Sequence, residues 1–178
     1  WSFLRKVLYK KASIITVNSL HAFNFFNKIV PKIKLKYIPN FTNSITKSNS
    51  KIDHEFFLLA VGRLTYQKGF DILIKDFLEV KKKYTKLKLI ILGSGPELNN
   101  LKNIIPRNCK EVLLLGESDP IPYYKNCEAF ILSSRYEGVP NVLIEAMSFS
   151  KPIIIYNSSS GMDEYVSDMN EAIILNQN

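Results

Sequence analysis

The chain has 178 residues, 46% of them hydrophobic and 22% charged, which is enough for a sizeable core and argues against a disordered protein. Its net charge is +8, and the whole excess is N-terminal, because residues 1–50 carry nine Lys or Arg and no Asp or Glu. No apolar run approaches the roughly 18 residues of a membrane-spanning helix, and residues 1–20 hold no uninterrupted apolar core of a secretory leader.

The basic N-terminal segment has two readings: a face for anionic lipid, or simply solvated lysines in an Asn- and Ile-rich chain. A nucleic-acid partner is not expected, since aromatic and basic residues do not interleave. The two cysteines, Cys109 and Cys127, and the two histidines, His21 and His54, fall into no metal or redox spacing. The chain begins with Trp1 and not with Met, so it is read as a fragment or a processed piece.

In chain order, Ser13 to Asn18 reads as a buried strand. Ser19 is a candidate N-cap for an amphipathic helix running to about Lys28. Lys34 to Ile38 is a short strand, and the polar stretch from Thr42 to Lys51 suits a linker. A regular alternation follows. Strands are predicted at Phe56–Gly62, Leu87–Leu92, Glu111–Leu115, Ala129–Ser133, Pro152–Tyr156 and Ala172–Leu175. Helices are predicted at Gly69–Tyr84, Pro96–Ile105, Ile121–Asn126 and Pro140–Phe149, with a helical turn over Gly161–Val166. Six strands separated by helices imply a parallel sheet covered on both faces, a doubly wound Rossmann-like α/β domain. Ligands bind such sheets at the carboxyl ends of the strands, so the loops there are the candidates for function.

The first of these loops is Gly62-Arg63-Leu64-Thr65-Tyr66-Gln67-Lys68-Gly69. Arg63 and Lys68 place a guanidinium fork and an ammonium where a diphosphate could sit, although a solvated turn with incidental cations fits as well. After the second strand, Gly93-Ser94-Gly95 is an incomplete dinucleotide fingerprint, because Leu98 occupies the third glycine position, and NAD is therefore not expected. After the fourth strand, Glu137 stands in the loop and Gly138-Val139-Pro140-Asn141 turn into a helix. The backbone N–H groups near Asn141 and Val142 form a candidate anion site. Glu145 is the sole charge from Val139 to Ser150. A carboxylate on so apolar a helix needs a partner or a hydroxyl-bearing ligand, such as a ribose diol; the plainer reading is that it caps a neighbouring backbone turn.

Taken in order, these segments resemble the group-1 (family four) retaining glycosyltransferases of GT-B architecture. The matching pieces are Val61-Gly62-Arg63-Leu64 with Gln67-Lys68-Gly69, Leu92-Gly93-Ser94-Gly95-Pro96-Glu97, and Leu115-Gly116. The most specific runs from Tyr136-Glu137-Gly138 through Val139-Pro140-Asn141-Val142-Leu143-Ile144-Glu145-Ala146-Met147, with the family's two glutamates. Lys151-Pro152-Ile153-Ile154 and Ser160-Gly161 with Glu164 follow. Two positions depart from the pattern: Ser150 stands where the family often has Gly, and Met162 where a subgroup has Pro.

The resemblance implies one half of a GT-B enzyme, with residues 1–44 as the tail of an N-terminal acceptor domain and 45–178 as the donor domain, truncated at its C-terminal end. It implies a nucleotide diphospho-sugar donor, UDP-sugar being the expected one, and a glycan or polyprenyl-linked acceptor in bacterial surface polysaccharide synthesis. Arg63, Lys68 and Glu137 would be the catalytic set, with the cations on the diphosphate and Glu137 at the sugar. Gly62, Gly138, Val139, Pro140, Asn141 and Val142 would line the donor, Glu145 would hold the ribose, and Gly116 would edge the base. No metal or other cofactor is implied. The expected location is cytoplasmic, with peripheral membrane contact through the basic segment. The fragment by itself is expected to bind a donor without transferring its sugar. The rival readings are a non-catalytic nucleotide-sugar-binding domain, a remnant of a split gene, or an epimerase of the same architecture.

Overall fold

The computed structural model describes residues 2–42, 52, 56–156, 166 and 172–175. The chain divides after Phe41 into two compact units.

The N-terminal unit holds helix α1 (Ser2–Lys11), strand β1 (Ile15–Val17), helix α2 (Leu20–Asn27), a short 3-10 turn and strand β2 (Leu35–Tyr37), with β1 and β2 pairing in parallel. Val17, Val30 and Leu35 form its small core, against which Tyr9 and Phe26 pack edge to face. Ser19 caps α2 as its position suggested, its Oγ accepting a hydrogen bond from the Ala22 N–H at 3.1 Å. Helix α1 was not expected from the sequence: Leu4, Val7 and Leu8 share one of its faces yet are exposed, so no burial pattern marks it.

The C-terminal unit contains a six-stranded, all-parallel sheet. Its strands are β3 (Phe57–Val61), β4 (Lys88–Leu92), β5 (Val112–Gly116), β6 (Ala129–Leu132), β7 (Ile153–Tyr156) and β8 (Ala172–Leu175), in the spatial order β5-β4-β3-β6-β7-β8. Side chains alternate between two cores. Phe57, Leu59, Ile90, Leu92, Phe130 and Leu132 face one core, together with Leu143 and Ala146 of helix α6 (Asn141–Ser148) and Tyr124 of helix α5 (Ile121–Asn126). Ala60, Leu89, Ile91 and Ile131 face the other, with Phe70, Leu73, Ile74 and Phe77 of helix α3 (Phe70–Val80) and Leu101 of helix α4 (Leu98–Ile104). Both faces are covered, which is why the strands read as unbroken apolar runs.

Several predicted boundaries shift. The helix expected to reach Tyr84 ends at Val80, where the N–H groups of Lys82 and Lys83 bond to Glu79 and Val80 in tighter i−3 turns. The helix expected from Pro96 starts at Leu98, because the Glu97 N–H is tied to the Leu64 carbonyl at 3.0 Å. The linker residues from 43 to 51, and the turn over Gly161–Val166 apart from the buried Val166, lie outside the described residues. So do Ser160, Met162 and Glu164.

Ser150 gives its departure from the family pattern a physical meaning. It follows α6 with φ 53°, the left-handed conformation that ends many helices and that glycine adopts without a Cβ penalty. Ser150→Gly is therefore expected to raise stability, by up to about 1 kcal/mol, in urea unfolding. A loss of stability would mean that the serine side chain is worth more than the strain it causes.

Candidate functional site

The sheet runs outward in both directions from its first strand, so the loops after β3 and β6 leave from adjacent strands at a topological switch point. The pairing of β3 with β6 covers only Leu58↔Ala129 and Leu59↔Phe130, whereas β3 pairs with β4 through Val61↔Leu92. Beyond that short ladder the two loops are joined by side chains and by single backbone bonds.

Glycine marks the ends of three strands along this edge: Gly62 follows β3, Gly93 follows β4 and Gly116 closes β5. The Gly62 N–H donates to Leu92 O at 3.0 Å, and the Gly93 N–H to Gly116 O at 2.7 Å. A Cβ on Gly93 would lie 2.0 Å from Gly62 O, so no larger residue fits between these backbones. Gly62 lets the stem of Lys68 lie against the chain, since its Cβ would sit 3.2 Å from Lys68 Cε.

Lys68 closes a 3-10 turn, Tyr66–Lys68, and its ammonium pairs with Glu137 Oε1 at 2.5 Å. Both side chains are largely sheltered, 16% and 9% exposed, so the attraction is screened less than at an open surface. Ser134 Oγ donates to the same carboxylate oxygen at 2.8 Å, and Gln67 Nε2 approaches Glu137 Oε2 at 3.5 Å. Ser133 Oγ donates to the Lys68 carbonyl at 2.9 Å. The two hydroxyls at the end of an apolar strand are thereby satisfied while buried.

Arg135 forms a second bridge. Its Nη1 and Nη2 hold Asp71 Oδ1 and Oδ2 at 2.8 and 2.7 Å, and Nη1 also donates to Tyr66 O at 2.7 Å. The guanidinium lies 3.9 Å over the Tyr66 ring. The hydrogen bond from Arg135 first, and its charge as well, hold the Asp71 carboxyl below the ordinary aspartate range against the opposing effect of burial.

Of the predicted residues, Gly62, Lys68 and Glu137 come together here. Arg63 is exposed on the same loop and joins no ion pair among the described residues. Gly138 is exposed, with open space where a Cβ would stand. Val139 and the buried Pro140 lead into α6, where Pro140 is the N-cap and offers no side-chain cap, and Asn141 and Val142 open the helix. Gly116 belongs to the same sheet edge two strands away from β3.

Glu145, on α6, is partnered by a residue that the sequence did not single out. The Tyr124 hydroxyl lies within donating distance of both Glu145 Oε2, at 3.0 Å, and the Val142 carbonyl, at 3.2 Å. Burial first, and then the Glu145 charge, push the Tyr124 phenol far above its ordinary range, so it remains a donor. The partner of this carboxylate is thus a side-chain hydroxyl, where a backbone turn had been the alternative to a ligand. Tyr124 itself is stacked on Phe149 with ring centroids 5.5 Å apart, which fixes the hydroxyl in place.

The family described as "Glycosyl transferases group 1" matches residues 41–178. The chain belongs to this family. An uncharacterized glycosyltransferase of Methanocaldococcus jannaschii is 36% identical over 177 residues, covering 89% of this chain and 43% of that protein. The N-acetylgalactosamine-N,N'-diacetylbacillosaminyl-diphospho-undecaprenol 4-alpha-N-acetylgalactosaminyltransferase of Campylobacter jejuni is 34% identical, covering 93% of this chain and 47% of the enzyme. The pneumococcal O-GlcNAc transferase GtfA, solved with UDP and GlcNAc, has the same fold at a TM-score of 0.83 and 23% identity, over 98% of this chain and 36% of that one. The chain spans about half the length, or less, of the curated relatives it matches. Its all-parallel sheet is that of a GT-B glycosyltransferase domain.

Tyr124→Phe deletes one oxygen and leaves Glu145 Oε2 without this donor. The expected cost is about 1–2 kcal/mol in chemical unfolding, with the ring packing kept. An unchanged midpoint would show that the hydroxyl does not support Glu145.

Proposed function

We propose that this chain is the nucleotide-sugar-binding half of a retaining glycosyltransferase, with residues 1–44 as the tail of an acceptor domain and 45–178 as the donor domain. The observation that carries the reading is the meeting of Lys68 and Glu137 at the switch point of a parallel sheet. In this site Lys68 and Arg63 neutralise the donor diphosphate as it leaves. The opening turn of α6, reached through Gly138, Val139 and Pro140, adds the N–H groups of Asn141 and Val142. Gly62 admits the phosphates close to the backbone, Glu145 takes the ribose hydroxyls, and Gly116 edges the base. Glu137 holds the sugar and stabilises positive charge developing at its anomeric carbon. These fixed cations and dipoles do the work that a divalent ion does in other transferases. Retention follows when the acceptor enters on the face that the diphosphate leaves.

UDP-sugar is the proposed donor, in keeping with the UDP found in solved structures of the same fold, GtfA and Anabaena HepE. A glycan or polyprenyl-linked acceptor is proposed from the Campylobacter relative, whose name specifies a diphospho-undecaprenol substrate. The relatives named for amylovoran and capsular polysaccharide synthesis favour a role in bacterial surface polysaccharide. Among the described residues no helix is long and apolar enough to cross a membrane. The basic N-terminal segment then suits peripheral contact with the cytoplasmic face.

Calorimetry on the 178-residue chain tests the reading. UDP is expected to bind and NAD to give no heat. Replacing Arg63 and Lys68 together with Ala is expected to weaken UDP binding by at least about tenfold, at roughly 1.5–3 kcal/mol for each charged hydrogen bond lost, and to spare uridine. Absence of UDP heat at millimolar concentration would overturn the donor-domain reading, and equal losses for UDP and uridine would overturn the diphosphate clamp.

A further inference from the structure

Between the β3 loop and the β6 loop, two contacts repeat at the same interval. Tyr66 meets Arg135, and two residues further along each loop Lys68 meets Glu137. The ladder beneath has already stopped at Leu59↔Phe130, so the sheet does not set the spacing of the loops. Ties between the loops set it, among them Ser133 Oγ to the Lys68 carbonyl and Gln67 Nε2 to the Tyr136 carbonyl, and Arg135 adds three more contacts. Its fork is locked on Asp71, in the first turn of α3 and therefore on a rigid element. Its Nη1 takes the Tyr66 carbonyl, where the 3-10 turn carrying Lys68 begins. Its backbone N–H donates to Gln67 O at 2.8 Å. The Arg135 side chain is 18% and that of Asp71 30% exposed, and a bidentate pair of this kind fixes direction as well as distance.

We propose that Asp71 and Arg135 are positioning residues that act through Lys68: their ion pair sets where the Lys68 ammonium stands, and so tunes the site for the diphosphate of a nucleotide donor. This rests on the donor-binding reading above. Neither residue touches the ligand. Loss of the strap lets the Tyr66–Lys68 turn relax, and a cation displaced by an ångström is a poorer partner for phosphate. Lysine at position 135 keeps the charge and loses the fork, so it does not restore the geometry.

A double-mutant cycle on the 178-residue chain reads this directly, with UDP and uridine as the titrants. Asp71→Asn is expected to weaken UDP binding about five- to tenfold, and uridine binding less than twofold, a coupling within the range seen for residues in one network. In the Lys68→Ala background the same change is expected to have no further effect on UDP. Asp71→Glu should recover most of the UDP affinity and Arg135→Lys should not. Additive losses of Asp71→Asn and Lys68→Ala, or equal weakening of UDP and uridine, would overturn the proposal and leave the pair a purely structural brace. If Asp71→Asn does not fold, Arg135→Lys carries the same cycle. Failure of the unaltered chain to bind UDP would instead count against the donor-binding reading itself.

Discussion

A parallel sheet that begins in its middle has one place where neighbouring loops diverge. Here β3 lies between β4 and β6, and the crossovers run away from it on both sides. The loops after β3 and β6 therefore have no helix between them, and each has polar backbone to satisfy. That constraint explains why so many hydrogen bonds collect between residues 66–71 and 133–137. It also explains the glycines, because backbones that approach this closely leave no room for a Cβ at Gly69, which would lie 2.1 Å from Ser133 O.

The charges at this point are paired in opposite senses. Arg135 with Asp71 is a closed bidentate unit that leaves little capacity for anything else. Lys68 with Glu137 is a single contact, with Ser134 and Gln67 on the carboxylate. In the proposed donor site, a diphosphate competing for Lys68 would displace one carboxylate oxygen, and that carboxylate would keep its Ser134 donor when the ammonium moved. The exchange is thus less costly than leaving a buried charge with no partner. At Glu145 the Tyr124 hydroxyl on Oε2 fixes the carboxylate in place.

Much of this fold was legible because its strands are buried on both faces. Runs such as Leu89-Ile90-Ile91-Leu92 and Ala129-Phe130-Ile131-Leu132 admit few other readings between turn residues. The helix at Phe70–Val80 was equally clear from Phe70, Leu73, Ile74 and Phe77. Helix α1 was not, since its apolar face is exposed and four basic residues interrupt it. Gly62, Lys68 and Glu137, singled out by their place after strand ends, lie together in the structure. The residues missed are those whose meaning lies in a distant partner. Asp71 reads as an acid favouring a helix N-terminus, and Arg135 as a loop cation, until the fold brings them together across 64 positions. Tyr124 reads as core, which it is, and only its hydroxyl reports the contact with Glu145.

The most direct test of the whole account is a map of backbone amide chemical-shift changes as UDP is added to the chain. The largest changes are expected at Gly62, Lys68, Gly69, Gly138 and Val142, on the two loops that diverge from the switch point. Changes centred on the opposite edge of the sheet, or within the N-terminal unit, would contradict it.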